Sequence, residues 1–197
     1  QLKSGRLLIP AYHAILPPNG AMDYQSHMIY SDDHGKTWKL GETVTPHTNE
    51  CAIDERRDGT VYYNGRNMTL DSTRPFPAQF RTWKTIAESK DGGVTWGNVR
   101  EERALVDKPT QGNLHVMPSR KGDDPVWVFT HPSGPGSRNL AARISFDEGR
   151  TWPGFRRITL GDTSYSSLTT MPNGRLGCLF DVWDLERLTN VLRFTEF

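Results

Sequence analysis

An eight-residue motif occurs three times in this chain and restricts what the chain can fold into. The motif reads S-x-D-x-G-x-T-W and occupies residues 31–38, 89–96 and 145–152, so its copies start 58 and 56 residues apart. In such a segment Ser and Asp can bond to turn amides, Gly can take a positive φ, and Trp can pack into an adjoining layer. We therefore interpret the copies as structural β-hairpin turns of a repeated unit. Their fixed serine, aspartate, glycine and tryptophan residues are Ser31, Asp33, Gly35, Trp38, Ser89, Asp91, Gly93, Trp96, Ser145, Asp147, Gly149 and Trp152.

A second, weaker repeat lies between the motifs and consists of a turn glycine followed by a short apolar strand. These glycines are Gly5, Gly59, Gly122 and Gly174. Each repeat therefore holds several short strands in about 57 residues, which is typical of a four-stranded propeller blade. No segment has convincing helical periodicity. The sequence predicts one all-β domain over residues 1–197 that covers roughly three to four blades of a β-propeller.

Charge and hydropathy exclude two classes of protein. Lys and Arg number 24 against 23 Asp and Glu, a balance unlike that of a surface built to neutralise nucleic-acid phosphates. Hydrophobic residues make up 35%, and no apolar run approaches the roughly 20 residues of a membrane-spanning helix. The two cysteines are too few for a disulfide scaffold, and the six histidines lack ligand spacing. We therefore expect no nucleic-acid partner, no membrane span, no metal and no cofactor.

Polar residues recur at matching positions of the repeats. Glu50 and Tyr165 each lie nine residues before a turn glycine, and Arg66 and Asp181 each lie seven residues after one. A hairpin brings residues at similar distances from its turn to the same end of a sheet, and equivalent blade positions converge on the propeller axis. The four side chains predict a polar pocket, with a solvated rim as the alternative. In the third unit, where an insertion shifts the register, the candidates are Gln111, Thr130, His131 and Arg138.

With these motifs the chain resembles the C-terminal part of the catalytic domain of Asp-box (BNR-repeat) sialidases, or neuraminidases. The resemblance covers essentially the whole chain. It implies a six-bladed β-propeller whose site holds an arginine triad for the substrate carboxylate, a tyrosine nucleophile, a glutamate beside it and an aspartate acid/base. It also implies an exo-α-sialidase that removes terminal α-linked sialic acid from a glycoprotein, glycolipid or oligosaccharide, without a cofactor.

The resemblance assigns roles to residues of this chain. Tyr165, in Ser164-Tyr-Ser-Ser-Leu168, matches the nucleophile, and Glu50 matches its glutamate partner. Arg66 and Arg138 match the second and third arginines of the triad. Asp181 stands where relatives usually carry a Glu. The resemblance implies that the acidic residue at this position steadies the first arginine. The supporting candidates are Asp181, Gln111 and Trp183, of which Trp183 is the candidate for sugar contact.

The chemistry explains why these residue types occur together. A sialoside carries a carboxylate on its anomeric carbon, which would repel the carboxylate nucleophile of most retaining glycosidases, whereas a neutral phenol avoids that repulsion. An unperturbed Tyr has a pKa near 10, so Tyr165 needs a base, and Glu50 is the candidate. Arg66 and Arg138 offer planar forks for bidentate pairing with the substrate carboxylate. The expected reaction is retaining hydrolysis through a tyrosyl intermediate.

Parts of the family's site are absent from this sequence. The first arginine and the aspartate acid/base are expected upstream of Gln1, so we expect the parent protein to be the enzyme and the chain to be a fragment. No fourth motif follows the last strands, which predicts an open sheet edge. A secreted or extracytoplasmic location is favoured for the parent, and the oligomeric state stays open.

Other functions remain open at this point. A sialic-acid-binding lectin would keep the fold and the arginines, although it needs neither Tyr165 nor Glu50. A trans-sialidase would pass the sugar to another sugar instead of water. A two-carboxylate glycosidase or a plain interaction propeller would not need the paired arginines.

Overall fold

The computed structural model describes residues 1–16, 18, 20, 22–70, 83–106, 110–118, 124–133 and 139–197. Within these ranges all regular secondary structure consists of β-strands, which confirms the all-β prediction. The strands are β1 (Leu7–Ile15), β2 (Asp23–Ser31), β3 (Lys39–Leu40), β4 (Thr48–Glu55), β5 (Val61–Asn67), β6 (Trp83–Ser89), β7 (Gly97–Val106), β8 (Asn113–Met117), β9 (Val126–Pro132), β10 (Leu140–Ser145), β11 (Gly154–Arg157), β12 (Ser166–Thr170), β13 (Leu176–Asp184) and β14 (Thr189–Glu196).

The strands form four sheets, each built from a consecutive run of the chain. The first sheet has the order β1-β2-β3, the second β4-β5-β6-β7, the third β11-β10-β9-β8 and the fourth β12-β13-β14. Neighbours in sequence are therefore neighbours in a sheet, as in the blades of a propeller. In the fourth sheet β14 pairs with β13, and its Leu192 is 73% exposed.

The chain divides into two compact units, residues 1–102 and 103–197, with the boundary inside β7. In each unit two sheets pack against each other through apolar faces. The core between the first and second sheets includes Met28, Val44, Cys51, Tyr63 and Ala87. The core between the third and fourth sheets includes Val128, Leu140, Ala142, Leu168, Leu176, Cys178, Phe180 and Val182. That all of residues 1–197 form a single domain stays a prediction.

The three motif copies have the same hydrogen-bond geometry. In the second copy the Ser89 hydroxyl accepts from the Gly93 amide at 2.8 Å. The Asp91 carboxylate accepts from both the amide and the hydroxyl of Thr95, at 2.9 and 2.6 Å. Gly93 has a φ of 87°, in the left-handed region that favours glycine. The copies are therefore structural turns, as predicted.

The motif tryptophans do not all pack as predicted. Trp96 packs edge-on against Tyr63, with ring centroids 5.6 Å apart, and Trp152 is buried with its ring 6.0 Å from that of Phe129. The prediction is wrong for Trp38, which is 43% exposed. Its indole folds back on its own turn and donates to the Gly35 carbonyl at 3.1 Å, so it does not enter a neighbouring layer.

Acid should weaken these turns. Hydrogen bonds from Thr37 lower the pKa of Asp33 to about 2. Burial raises the pKa of Asp91, but the bonds from Thr95 and Ser89 outweigh it and the pKa falls to about 2. Since an unfolded Asp has a pKa of about 3.9, the stabilisation is complete above that pH and is lost as pH falls towards 2. We expect the thermal midpoint Tm to fall between pH 4 and pH 2.

Thermal unfolding followed by circular dichroism from pH 6 to pH 2 would measure this effect. The Asp91→Asn variant should have a lower Tm at pH 6 and a smaller loss on acidification, because the uncharged amide makes weaker bonds. The control is Asp124→Asn, at an exposed position outside the motifs. Equal acid sensitivity of wild type and Asp91→Asn would contradict the prediction.

Candidate functional site

The second sheet brings Glu50 and Arg66 together. Their strands pair through Cys51 and Gly65, so the two side chains lie at neighbouring positions of β4 and β5. Arg66 Nη1 lies 2.6 Å from Glu50 Oε2, and the side chains are only 23% and 20% exposed. The predicted proximity of these two residues is confirmed, and they form a half-buried ion pair.

Local packing holds the backbone of this pair in place. A β-bulge lies between Thr48 and Cys51, where the pairing of β4 with β5 shifts its register. On β5 a Cβ at Gly65 would overlap the ring of Tyr63, so glycine allows that ring to lie flat over the strand next to Arg66. The Ser26 hydroxyl donates to the Asn49 carbonyl at 2.6 Å and ties β4 to the first sheet.

One donor of Arg66 has no acceptor among the residues that the structure describes. Its Nε is shielded from solvent, and no hydrogen-bond partner lies within reach of it among the described residues. Leaving a buried donor unpaired costs about 1–3 kcal/mol, so such groups usually have a structural or functional reason. The Nε group is therefore a buried donor whose acceptor is not among the described residues.

The cysteine beside this pair is not reactive. Cys51 is a free, buried thiol, and burial raises its pKa to about 12. Cys178, on β13, is also free and buried, and its pKa is raised to about 11 for the same reason. Both groups stay protonated near neutral pH and do not act as thiolate nucleophiles.

The fourth sheet brings Tyr165 and Asp181 together. Asp181 Oδ1 accepts from the amide of Tyr165 at 2.6 Å and from that of Ser164 at 3.0 Å. The Asp181 amide in turn donates to the Tyr165 carbonyl at 3.2 Å. Asp181 therefore binds both the amide and the carbonyl of Tyr165, the residue that immediately precedes β12.

The Tyr165 side chain is accessible. It is 46% exposed and borders a depression of about 380 Å³ that Leu179, Asp181 and Leu192 also line. An exposed ring is weakly oriented by packing, so its direction depends on the backbone from which it projects. The resemblance implies another task for Asp181, the support of an arginine, and the contact with the backbone of Tyr165 could not be read from the sequence.

Removing the Asp181 carboxylate should loosen this segment. In Asp181→Ala two amides lose their acceptor, and we expect a destabilisation of about 1–3 kcal/mol. Amide hydrogen exchange at Ser164 and Tyr165 should accelerate at least about tenfold, since the lost bonds protect those amides locally. Asp181→Asn keeps an acceptor oxygen and should exchange nearly as slowly as wild type.

A matched control is Asp184→Ala. Asp184 accepts from the amides of Glu186 and Arg187 at 3.0 Å each, a similar contact at the next turn of the chain. Its loss should leave exchange at Ser164 and Tyr165 unchanged. Unchanged exchange at these two amides in Asp181→Ala would contradict the positioning role.

The other candidates of the third and fourth sheets have different surroundings. Thr130 Oγ1 lies 2.8 Å from Ser166 Oγ, which places this predicted residue beside the segment of Tyr165. His131 is fully buried, and its Nδ1 lies 3.2 Å from the carbonyl of Pro132. Gln111 is half-buried just before β8, and Trp183 is 41% exposed, two residues beyond Asp181. Ser166 was not predicted, although it belongs to the quoted tyrosine segment.

Some predictions fall outside the described residues or between the two units. Arg138 and the turn glycine Gly122 lie outside the described residues. The Glu50–Arg66 pair lies in residues 1–102 and Tyr165 in residues 103–197. Their convergence on one pocket stays a prediction, as do the roles assigned to each residue.

Comparison with known families decides what kind of chain carries these residues. The model of the BNR repeat-like domain matches residues 1–178. The chain belongs to the BNR-repeat sialidase family. It is 33% identical to a sialidase of Micromonospora viridifaciens over 168 residues, which are 83% of this chain and 24% of that protein. It is 28% identical to Sialidase-2 of Cricetulus griseus over 98% of this chain and 52% of that protein.

Solved structures place this sialidase-family chain in the same fold. A Hadza microbial sialidase superimposes over 100% of the chain and 36% of its own length, with a TM-score of 0.74 and 21% identity. The NanB sialidase from Streptococcus pneumoniae covers 97% of the chain, with a TM-score of 0.71 and 21% identity. An intramolecular trans-sialidase from leech also matches, with a TM-score of 0.69 and 20% identity. The chain thus has the fold of part of a sialidase β-propeller.

The chain spans about a quarter of the Micromonospora sialidase and about half of the Cricetulus protein. The part of this family member that the structure describes contains no helix long and apolar enough to cross a membrane. Among the same residues no group of three or more His, Cys, Asp or Glu side chains could hold a metal ion.

Proposed function

We propose that the full-length protein containing this chain is an exo-α-sialidase that hydrolyses terminal α-linked sialic acids of glycoproteins, glycolipids or oligosaccharides. The observation that carries the proposal is the Glu50–Arg66 pair, in which one half-buried arginine holds a carboxylate and keeps its Nε without a partner among the described residues. Membership of the sialidase family supports it. The chain spans 24% and 52% of two sialidase relatives, so the roles of the first arginine and the aspartate acid/base are assigned to the full-length protein.

Arg66 has the donor set that a sialic-acid carboxylate requires. Its Nη1 binds Glu50, and its Nε, which has no acceptor among the described residues, is the donor left for the substrate carboxylate. A carboxylate has two oxygens that can accept parallel N–H bonds from one guanidinium, which fixes its plane as well as its position. Arg138 joins in this binding. The substrate is thereby oriented so that its anomeric carbon faces Tyr165.

The chemical steps follow from the proposed positions. Glu50 takes the phenolic proton as the Tyr165 oxygen bonds to the anomeric carbon. The bond from that carbon to the leaving-group oxygen breaks, and the acid/base protonates the oxygen. Water then attacks the same carbon and gives a proton to the deprotonated acid/base, while the Tyr165 oxygen leaves and recovers its proton from Glu50. Two displacements at one carbon retain the anomeric configuration.

Asp181 contributes by position in this proposal. Its carboxylate holds the amides of Ser164 and Tyr165 and thereby fixes the backbone from which the exposed Tyr165 side chain projects.

A second candidate function is transfer of the sialyl group to a sugar hydroxyl, favoured by the likeness to a leech intramolecular trans-sialidase. Both reactions share the tyrosyl intermediate and differ in what attacks it.

The test is an assay of the full-length protein with a fluorogenic α-sialoside. We expect release of the fluorophore and free α-sialic acid as the first product, seen by proton NMR. An anhydro or transferred sugar as the main product would favour the transferase. Binding of sialic acid without turnover would support the lectin, and neither binding nor turnover would refute the proposal.

A further inference from the structure

Two histidines of the first sheet lie in direct contact and have no part in the proposed reaction. His13 on β1 and His27 on β2 have Nδ1 atoms 3.2 Å apart and ring centroids 5.1 Å apart, with an angle of 45° between the rings. His13 lies opposite Gln25 in the register of the two strands, so His13 and His27 project from the same face of the sheet.

The separation of the two nitrogens matches the spacing of ligands on a tetrahedral ion. Zinc binds imidazole nitrogens at about 2.0–2.1 Å, so two of its tetrahedral ligands are about 3.3 Å apart. The observed distance of 3.2 Å between the Nδ1 atoms is within the usual tolerance of that value. Because each ring directs the same nitrogen towards the other, one ion placed between them and off their line could meet both lone pairs.

We propose that His13 and His27 form a bidentate site for a divalent transition-metal ion of the zinc type. His27 is only 7% exposed, so the surrounding sheet holds its ring in one place. His13 is exposed, so the ion has a route of entry and solvent can fill the remaining coordination positions. Among the described residues no third His, Cys, Asp or Glu completes the site, so binding is exchangeable and not structural.

The tautomers of the two rings can adapt to a bound ion. Without metal, one Nδ1 donates its hydrogen to the other. On binding, that ring changes to the tautomer protonated at Nε2, so the ion enters without a redox change.

Neighbouring charged groups are occupied by contacts of their own. Asp23 accepts from Gln25 at 2.9 Å and pairs with His47 at 3.0 Å. The Thr43 hydroxyl donates to the other side of the Gln25 amide. The two histidines are thus the part of this polar face of the first sheet that is arranged for a metal.

Calorimetric titration of the full-length protein with zinc chloride at pH 7.5 tests the site. We expect one ion bound per chain at this pair, and at least about tenfold weaker binding in His13→Ala. Because His13 is exposed, this variant should fold normally. The control is His34→Asn, a change at an exposed turn histidine with a φ of 60° that Asn tolerates.

The expected pattern has two parts: weakened binding in His13→Ala and in His27→Gln, and wild-type affinity in His34→Asn. Zinc binding that survives unchanged in His13→Ala would overturn the proposal. So would the absence of binding by the wild type at millimolar zinc. Neither outcome depends on sialidase activity.

Discussion

Replacing Tyr165 by Phe in the full-length protein should lower kcat for an α-sialoside by about a thousandfold or more, because the phenolic oxygen is the proposed nucleophile. The ring of Tyr165 is 46% exposed, and its backbone is held by Asp181 independently of the hydroxyl. The variant should therefore keep the Tm of the wild type. Its affinity for sialic acid should change little, since carboxylate binding belongs to the arginines.

Steady-state kinetics on a fluorogenic α-sialoside, with Tm and sialic-acid binding measured in parallel, would check this expectation. The control is Tyr30→Phe, since Tyr30 lies under the guanidinium of Arg6 beside the first motif and outside the proposed site. A Tyr165→Phe enzyme with a kcat within tenfold of the wild type would rule out a tyrosyl intermediate. Glu50→Gln should also lower kcat, because the amide cannot take the phenolic proton.

Substitution of Arg66 should mainly affect substrate binding. In Arg66→Ala we expect KM for the sialoside and Kd for free sialic acid to rise about a hundredfold, because a charge-assisted bidentate bond is lost. Arg66→Lys should recover little of this loss, since an ammonium group keeps the charge but lacks the planar fork and the Nε donor. Glu50 also loses a partner 2.6 Å away, so kcat should fall as well.

Calorimetry with sialic acid, together with kinetics on the fluorogenic sialoside, separates these effects. Arg187→Ala is the matched control, because Arg187 lies at an exposed turn after β13. Full recovery of affinity by Arg66→Lys would show that only the charge matters and would contradict bidentate binding. Unchanged affinity in Arg66→Ala would remove this residue from the proposed site.

Features that depend on short segments of chain were predictable. The turn motif contains its own donors and acceptors, so Ser89, Asp91 and Thr95 form the same bonds wherever the segment occurs. The proximity of Glu50 and Arg66 was predictable for a related reason. A tight hairpin links their strands, and counting from its glycine sets which residues lie opposite each other.

Features that depend on what packs against a segment were not predictable. Trp38, Trp96 and Trp152 occupy the same motif position, yet Trp38 alone is exposed, because burial depends on whether an aromatic partner faces it. Asp181 was expected to support an arginine. Its observed contact with the Tyr165 amide depends on the rotamer of the Asp181 side chain, which the sequence does not specify.

By itself the sequence determined the repeated β architecture, the geometry of its turns, and the residue types that point to sialoside chemistry. The β architecture and its turns arise from contacts within single hairpins, where neighbours in sequence are neighbours in space. Only the tertiary structure decided that Asp181 binds the backbone of Tyr165 and that His13 and His27 touch across two strands. The histidines are 14 residues apart, and their contact depends on strand register and on side-chain rotamers that local sequence does not specify.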